Sequence, residues 1–276
     1  MPSDVVVVIG AGGIGQAIAR RQGAGRTVLL ADNNEPVLAA AKEALEDGGH
    51  AVSARHTEVS SRESVRDLAR AAAGLGAVVN VVNTAAVIQA PPAVILAVNL
   101  VGTALVFEEF EDVIAPGGAG LVISSMAGYM PPPLDQETAR LLGQTPADEL
   151  LSLPVLSEQA VPNSVAAFAI SKQANHAQVQ AAALRWGVRG ARVNSLSPGI
   201  ILTPLSRAEM AGPGAEHYQK TIAASAVGRI GTVDEIATAA AFLLGPDAGF
   251  ITGADLLIDG GVIAALRAGH LNPTLP

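Results

Sequence analysis

The chain contains no cysteine, and aromatic residues make up only 3% of its 276 positions. The lack of cysteine excludes disulfides, thiolate metal sites and a cysteine nucleophile. The five histidines include no closely spaced pair such as His-x-x-x-His, so we expect no metal site. Because half of the residues are hydrophobic and so few are aromatic, we expect a core of Ala, Val, Leu and Ile, which suits close packing of helices on a sheet.

Positive charge is also scarce. The 17 Lys and Arg residues against 25 Asp and Glu give a net charge of −8. We therefore expect neither a nucleic acid nor an anionic membrane as partner, because both require clustered cations. No apolar run is expected to reach the roughly 18 residues of a membrane-spanning helix, since polar residues or prolines interrupt each candidate. Residues 1–4 lack the basic start of a secretory signal, which favours a cytoplasmic location.

Apolar runs alternate with helical patterns along most of the chain. Residues 5–9 predict a strand that is buried on both faces, and a helix is expected from about Gly13. Further strands are predicted at 27–31, 51–55, 78–82, 121–124, 191–196 and 255–258, and further helices at 35–46, 62–73, 93–114, 165–186 and 234–244. The alternation predicts a single α/β domain over residues 1–276, a doubly wound parallel sheet of seven strands in the order 3-2-1-4-5-6-7. Ligands should bind at the carboxyl ends of its strands.

Residues 130–162 break this alternation with several prolines and a short acidic stretch. We interpret them as an insertion after the fifth strand that covers one face of the domain. Together with residues 204–220, the insertion is expected to frame a substrate, with His217 and Tyr218 as contacts of a lid. An ordinary surface loop is an equal alternative for both segments.

A glycine-rich sequence, Gly10-Ala11-Gly12-Gly13-Ile14-Gly15, directly follows the first predicted strand and opens a helix. In such a turn Gly10 permits the tight bend, Gly12 lets the backbone approach a pyrophosphate, and Gly15 lets helix and strand pack closely. Asp32 ends the second predicted strand, where a carboxylate accepts hydrogen bonds from an adenosine ribose and repels a 2′-phosphate. The predicted cofactor is therefore NAD. The alternative for Asp32 is a strand-end turn or helix cap.

These features resemble the short-chain dehydrogenase/reductase family over nearly the whole chain. The further matching positions are Glu58-Val59, Asn83-Thr84-Ala85-Ala86, Asn99, Ser124-Ser125, Lys172, Ser197-Pro198-Gly199-Ile200 with Thr203, and Asp259-Gly260-Gly261. The short segment between Asn83 and Asn99 and the insertion after Ser125 most resemble the bacterial 3α-hydroxysteroid dehydrogenase/carbonyl reductase branch. The resemblance implies a Rossmann fold and hydride transfer between NAD(H) and a secondary alcohol or ketone.

The resemblance also implies a role for each matching residue. The residues implied to bind cofactor are Gly10, Gly12, Gly13, Ile14 and Gly15 at the pyrophosphate, Asp32 at the ribose, Glu58, Val59, Asn83 and Ala85 on the adenine side, and Pro198, Gly199, Ile200 and Thr203 at the nicotinamide carboxamide. Ser125 would hydrogen-bond the reacting oxygen, and Asn99 would position a water that relays protons. Lys172 would hold the nicotinamide ribose and lower the pKa of a catalytic tyrosine. A solvated helical lysine is the alternative for Lys172.

Two departures from the family pattern stand out. The glycine motif is one residue shorter than the usual G-x-x-x-G-x-G, and the usual Tyr-x-x-x-Lys has Phe168 in place of the tyrosine. Another proton donor could be Tyr129, His176 or water. Each of these two residues also has a purely structural alternative. Tyr129 would then pack against the insertion, and His176 would pack in the fold or at a subunit interface.

Three functions stay open on these residues. The first is an NAD-dependent oxidoreductase, for which the steroid-active branch and the apolar insertion favour a hydrophobic small-molecule substrate. The second is an NAD-binding sensor or partner protein with little or no catalysis. The third is an isomerisation or dehydration that uses another donor. The resemblance and the Ala-rich helices further predict a homodimer or homotetramer.

Overall fold

The computed structural model describes residues 3–212 and 214–271, and these form one parallel sheet of seven strands in the order β3-β2-β1-β4-β5-β6-β7. The strands are β1 Asp4–Ile9, β2 Thr27–Asp32, β3 Ala51–His56, β4 Ala77–Asn83, β5 Ile114–Ile123, β6 Arg192–Pro198 and β7 Asp255–Ile258. Each neighbouring pair runs parallel. The predicted α/β fold and strand order are both confirmed.

Helices cover both faces of the sheet. They are α1 Gly13–Gln22, α2 Glu35–Asp47, α3 Arg62–Leu75, α4 Pro92–Ile95, α5 Gly102–Phe110, α6 Gln136–Gln144, α7 Ser164–Gly187, α8 Pro204–Met210, α9 Ala215–Ala224, α10 Val233–Leu244 and α11 Val262–Arg267. Short 3₁₀ turns lie at Met126–Tyr129, Leu150–Ser152, Pro154–Leu156 and Pro246–Ala248, and a π-helical segment spans Leu96–Val101.

From Val5 to Ile9, the central strand β1 is an unbroken apolar run because both of its faces are buried. Val5, Val7 and Ile9 of β1 point into a core shared with α3, α5 and α7. Val6 and Val8 point into a second core shared with α1, α2 and α10. Alternate side chains of a strand face opposite sides of the sheet, so both sets must be apolar when helices cover both faces. Each fully buried side chain of this size contributes roughly 1.5–3 kcal/mol.

The helix predicted at 93–114 is wrong in two respects. It ends at Phe110, and Ile114 is instead the first residue of β5. Ile114 pairs with Val78 before the register shifts, so the strand starts earlier than its most apolar part. The helix is also not continuous, because the π-helical segment Leu96–Val101 separates α4 from α5. A π segment inserts an extra residue into a helical turn, which changes the direction of neighbouring side chains.

The expectation that no segment could span a membrane also needs correction. Residues Pro92–Phe110 form a 19-residue helical stretch with a mean hydropathy of 1.8, which satisfies the requirement by length and composition. Its polar residues are Asn99 and Thr103, which carry no charge, and Glu108 and Glu109 near its end. In the structure 67% of its most apolar window is buried inside the protein, as expected of a core helix.

The insertion at 130–162 contains α6 and two 3₁₀ turns. Its α6 packs so closely on α7 that a side chain at Gly143 would start 2.7 Å from the carbonyl oxygen of Ala177. A guanidinium-centred cluster ties the segment to the body of the fold, because Arg62 contacts Asp148 of the insertion as well as Glu108 and Glu109. Residues 204–220, for which no elements were predicted, contain α8 and the first part of α9.

Candidate active site

The glycine loop between β1 and α1 has the geometry of a phosphate cradle. Gly10 has a φ of +93°, and a side chain there would start 2.8 Å from the backbone nitrogen of Ala85. A side chain at Gly15 would collide with the carbonyl oxygen of Gly10. At Gly12, by contrast, a Cβ would meet nothing within 4 Å, and no side chain caps the start of α1. The uncapped N–H groups at this helix end are therefore open to an anion.

Asp32 joins the end of β2 to this loop. One carboxylate oxygen accepts a hydrogen bond of 2.7 Å from the Ala11 N–H, and the other accepts one of 2.8 Å from the Asn34 N–H. The second contact is the strand-end turn considered above as an alternative. Asp32 is only partly buried, and residues 31–35 include no cation. Its carboxylate therefore keeps acceptor capacity at the edge of the cradle.

Glu58 lies beside the turn that follows Asp32. Its carboxylate accepts a hydrogen bond of 3.1 Å from the side-chain amide of Asn33 and two further bonds from the N–H and hydroxyl of Ser60. Partial burial opposes ionisation, but these hydrogen bonds outweigh it and keep the pKa of Glu58 below its ordinary value. The neighbouring Val59 is buried under Gly102. Two loops that are distant in sequence thus meet on one side of the cradle.

Polar side chains at the end of β4 form hydrogen bonds with neighbouring parts of the fold. Asn83 is buried, accepts a hydrogen bond of 3.1 Å from the Ala85 N–H and donates one of 3.3 Å to the Thr103 hydroxyl. The Thr84 hydroxyl lies 2.9 Å from the carbonyl oxygen of Gly10 and 3.0 Å from that of Ile9. Sequence reasoning assigned Thr84 no task, yet it fixes β4 to the glycine loop.

Asn99 lies in the π-helical segment and is almost fully engaged. Its side-chain amide exchanges two hydrogen bonds of 2.9 Å with the backbone of Val87. Its main-chain carbonyl accepts from the Thr103 hydroxyl at 2.9 Å and from the side-chain amide of Asn175 at 3.0 Å. Two donors match the two lone pairs of a carbonyl oxygen. Asn99 therefore connects the loop after β4, its own helix and α7.

The two serines after β5 have different surroundings. Ser124 is buried, and its hydroxyl donates to the Lys172 carbonyl at 2.9 Å. Ser125 is partly exposed, and its oxygen accepts a hydrogen bond of 3.1 Å from the Ala127 N–H, which starts the following 3₁₀ turn. A serine oxygen that accepts one bond still has its own hydroxyl hydrogen to donate. Ser125 can therefore donate to a ligand.

Lys172 and Phe168 are one turn apart on α7; Lys172 is buried, and Phe168 is partly buried. Lys172 is only 2% exposed, so the alternative of a solvated helical lysine is wrong. Its ammonium donates to the Ile123 carbonyl at 3.0 Å, at the end of β5, and lies 5.6 Å from the centre of the Phe168 ring. Burial disfavours the charged form and lowers the pKa of Lys172 to about 8.

The two candidate donors Tyr129 and His176 belong to a separate cluster, which also includes Ser197 and Asp255 and is here called the β7 polar cluster. The Tyr129 hydroxyl donates to Asp255 at 2.7 Å. The His176 Nε2 atom lies 3.1 Å from the Ser197 hydroxyl and 3.5 Å from the Asp255 carboxylate. Burial lowers the pKa of His176 despite Asp255, whereas burial and Asp255 together raise the pKa of Tyr129. Sequence reasoning missed Asp255; the polar residues within the Ala-rich α7 were the available signal.

The loop after β6 closes the other side of the cleft. Pro198 is the last residue of β6, and the Gly199 N–H donates to the Ile258 carbonyl at 3.0 Å. The Ile200 carbonyl accepts from the Gly231 N–H, also at 3.0 Å. The Thr203 methyl group lies 3.9 Å from where a Gly13 side chain would start, so this loop comes up to the glycine loop. The lid contacts expected of His217 and Tyr218 stay a prediction; their rings pack edge to face on α9.

Known proteins match this chain in both sequence and structure. The profile described as short chain dehydrogenase matches residues 4–136, and that described as Enoyl-(Acyl carrier protein) reductase matches residues 136–263. The short-chain dehydrogenase/reductase bsc3 of Alternaria brassicicola is 40% identical over 96% of this chain and 98% of its own length. A short-chain dehydrogenase/reductase from Serratia marcescens has 26% identity and a TM-score of 0.75, over 95% of this chain and 100% of that one.

The more specific branch prediction has weaker support. The 3-alpha-hydroxysteroid dehydrogenase/carbonyl reductase of Comamonas testosteroni is 30% identical, over 63% of this chain and 67% of its own length. It is one of several relatives at similar identity, so the branch is not singled out. The matches at family level, by contrast, cover nearly the whole chain. The chain belongs to the short-chain dehydrogenase/reductase family.

Proposed function

We propose that this protein is an NAD-dependent oxidoreductase that transfers hydride between NAD(H) and a secondary alcohol or ketone, with Phe168 where the family has its catalytic tyrosine. The observation that carries the proposal is the open glycine loop at the start of α1, with the Asp32 carboxylate hydrogen-bonded to its second residue. Uncapped N–H groups suit a pyrophosphate, and a carboxylate with acceptor capacity suits the two hydroxyls of an unphosphorylated ribose.

The surrounding residues fit the remainder of the cofactor. Glu58 and Val59 lie next to the Asp32 turn, where an adenine ring would bind, and Asn83 and Ala85 lie at the end of β4, on the other side of β1. The loop with Pro198, Gly199, Ile200 and Thr203 approaches Gly13 from the opposite side and would hold the carboxamide. The buried Lys172 ammonium would hold the nicotinamide ribose. When bound, the cofactor supplies or accepts the hydride.

The chain itself has to orient the substrate oxygen and manage its proton. Ser125 is partly exposed and can donate a hydrogen bond to that oxygen. Phe168 cannot exchange a proton and contributes an apolar ring beside Lys172. Positioning and electrostatic effects that do not depend on a tyrosine supply much of the rate in enzymes of this kind.

Binding and turnover should be measured separately. Energy transfer from Trp186, the single tryptophan, reports NADH binding, and NADH absorbance reports turnover of a panel of apolar ketones and secondary alcohols. The proposal predicts NAD(H) binding in preference to NADP(H), together with slow but measurable turnover. Equal affinity for both cofactors would contradict the NAD assignment.

A catalytically inactive NAD-binding sensor or partner protein is the second candidate. Phe168 favours it, and so does the bond from Tyr129 to Asp255, which commits the nearby phenol to the protein interior. This candidate predicts NADH binding with no turnover of any substrate in the panel. Restored turnover in Phe168→Tyr would then identify the missing hydroxyl as the sole defect.

We also propose that the protein acts as a homodimer or homotetramer. Three large apolar side chains are strongly exposed near the ends of α7 and β7: Leu184 at 77%, Val188 at 90% and Phe250 at 105%. Exposed apolar side chains of this kind often mark subunit contacts. Light scattering at micromolar concentration should give a dimer or tetramer mass, and a monomer would refute the proposal.

A further inference from the structure

The proposed oxidoreductase needs a group that gives a proton to the substrate oxygen, and Phe168 has none to give. We infer that Lys172 is itself the proton donor in reduction and the proton acceptor in oxidation. This inference rests on the proposed function and adds a catalytic role to a residue that the family resemblance uses only to hold the ribose and tune a tyrosine.

The position of the ammonium supports this role. Lys172 reaches the end of β5, where its Nζ atom bonds the Ile123 carbonyl, two residues before Ser125. An ammonium has three N–H donors, and Ile123 is its one protein acceptor within residues 3–212 and 214–271. The remaining N–H bonds have no acceptor among these residues, so a ligand or water that reaches the end of β5 can accept hydrogen bonds from them.

The other titratable groups around Lys172 are committed elsewhere. His176, one turn further along α7, faces Ser124, Ser197 and Asp255. Tyr129 donates to Asp255, and Arg267 lies over its ring at 5.8 Å. The main-chain carbonyl of Asn99, which could otherwise bind a proton-relaying water, is also occupied, because Thr103 and Asn175 both donate to it. Lys172 is thus the titratable group with donors to spare at the end of β5.

The proton balance of the step is simple. In reduction, the carbonyl carbon gains a hydride from the reduced cofactor, the π pair moves to oxygen, and an N–H bond of Lys172 breaks as the O–H bond forms. The products are the secondary alcohol, the oxidised cofactor and a neutral Lys172 amine, which regains a proton from water. In oxidation the neutral amine removes the hydroxyl proton. A pKa of about 8 makes both forms accessible near neutral pH.

Asn175 provides a place for the water that restores this proton. It lies three residues from Lys172 on α7 and therefore on the same side of the helix. Its side-chain amide donates to Asn99 and Gln178, whereas its oxygen is buried and has no partner among the described residues. Leaving a buried acceptor unpaired costs about 1–3 kcal/mol. A water bonded to this oxygen and to Lys172 would satisfy both groups.

The first test is a titration that does not depend on turnover. The chain has three lysines, so Lys42→Arg with Lys220→Arg leaves Lys172 as the single lysine for ¹⁵N-lysine NMR. The Lys172 amine should titrate near pH 8, and kcat/KM for ketone reduction should fall above the same pH. Alcohol oxidation should instead rise up to it, because oxidation requires the neutral amine. Lys42→Arg alone is the matched control, since Lys42 is exposed and pairs with Glu46 on α2.

The second test separates proton transfer from cofactor binding. Lys172→Arg keeps a cation but holds its proton too tightly to give it up, so kcat should fall by about 10²-fold or more while NADH affinity changes little. Lys172→Ala should regain rate in the presence of ethylamine and other small primary amines, with a rate that depends on the amine pKa. A residue that only holds the ribose would show no such dependence.

The outcomes distinguish this inference from the proposed function. An active wild type whose Lys172→Arg or Lys172→Met variant keeps its rate would overturn the role of Lys172 alone. An amine that titrates above pH 10, or pH profiles that do not follow it, would overturn it even if the variants fail to fold. Wild-type protein that binds NADH but turns over no substrate would overturn the oxidoreductase proposal, and with it this role.

Discussion

The glycine-loop side of the cleft and the α7 side differ in what holds them together. Around β1 and β2 the decisive groups are backbone atoms, as at Gly10, where a side chain would collide with the loop after β4. Around α7 they are side chains, including the buried Lys172 and Asn175 and the partly buried His176, and each of these bonds a group on another element of the fold. Backbone requirements produce a glycine pattern that can be recognised in the sequence. A network of polar side chains, in contrast, can change by single substitutions and has no such pattern. The proposed cofactor site can therefore coexist in one chain with Phe168 at the position of the family's tyrosine.

The largest effect is expected at Gly15. A side chain there would collide with the Gly10 carbonyl, so Gly15→Val should destabilise the fold by about 3–5 kcal/mol or prevent folding, as seen in thermal unfolding. Gly12→Ala is the matched control, because a Cβ at Gly12 meets nothing within 4 Å. This control should keep its unfolding temperature and lose NADH affinity. If Gly12→Ala binds NADH as tightly as wild type, the pyrophosphate does not lie at this loop.

Phe168→Tyr should have the next largest effect. A phenol one turn before Lys172 would add a second acid/base group, and we expect kcat for ketone reduction to rise by about 10²-fold. This is the lower end of the usual acid/base contribution, because Lys172 already supplies part of it. The gain should disappear in Phe168→Tyr with Lys172→Met, since the neighbouring cation is what lowers the phenol pKa. An unchanged rate in Phe168→Tyr would mean that Phe168 does not lie at the reacting atoms.

Asp32→Ala tests the cofactor preference. Losing one or two charge-assisted hydrogen bonds should narrow the preference for NAD over NADP by roughly 10- to 100-fold. Asp32→Asn keeps an acceptor for the Ala11 N–H and removes the charge, so it separates loop support from phosphate repulsion. Glu35→Ala, on the exposed first turn of α2, controls for general charge and should change the ratio less than twofold. If the preference for NAD over NADP is unchanged in all three variants, other residues determine the cofactor selectivity.

The glycine-loop side could be predicted from the sequence better than the α7 side. The strand order and the glycine turn were predictable because hydrophobic runs and glycines report local backbone requirements. The π-helical segment at Asn99 was not, since nothing in its composition separates it from a regular helix. The β7 polar cluster joins Tyr129 to Asp255 across 126 positions, and no periodicity connects residues so far apart. Such long-range contacts decide which side chain is free to donate a proton. The sequence therefore predicted the fold but not the proton donor.

The smallest effect on activity is expected at Tyr129. Its hydroxyl donates to Asp255 at 2.7 Å, and burial with that carboxylate raises its pKa, so it should keep its proton through the pH range of the assay. Tyr129→Phe should change kcat less than threefold but cost about 1–3 kcal/mol of stability, because a buried carboxylate loses a donor. A double-mutant cycle with Asp255→Asn should assign most of that cost to this one bond. If Tyr129→Phe instead abolishes turnover and keeps its unfolding temperature, the phenol is the donor, and the β7 polar cluster belongs to the active site.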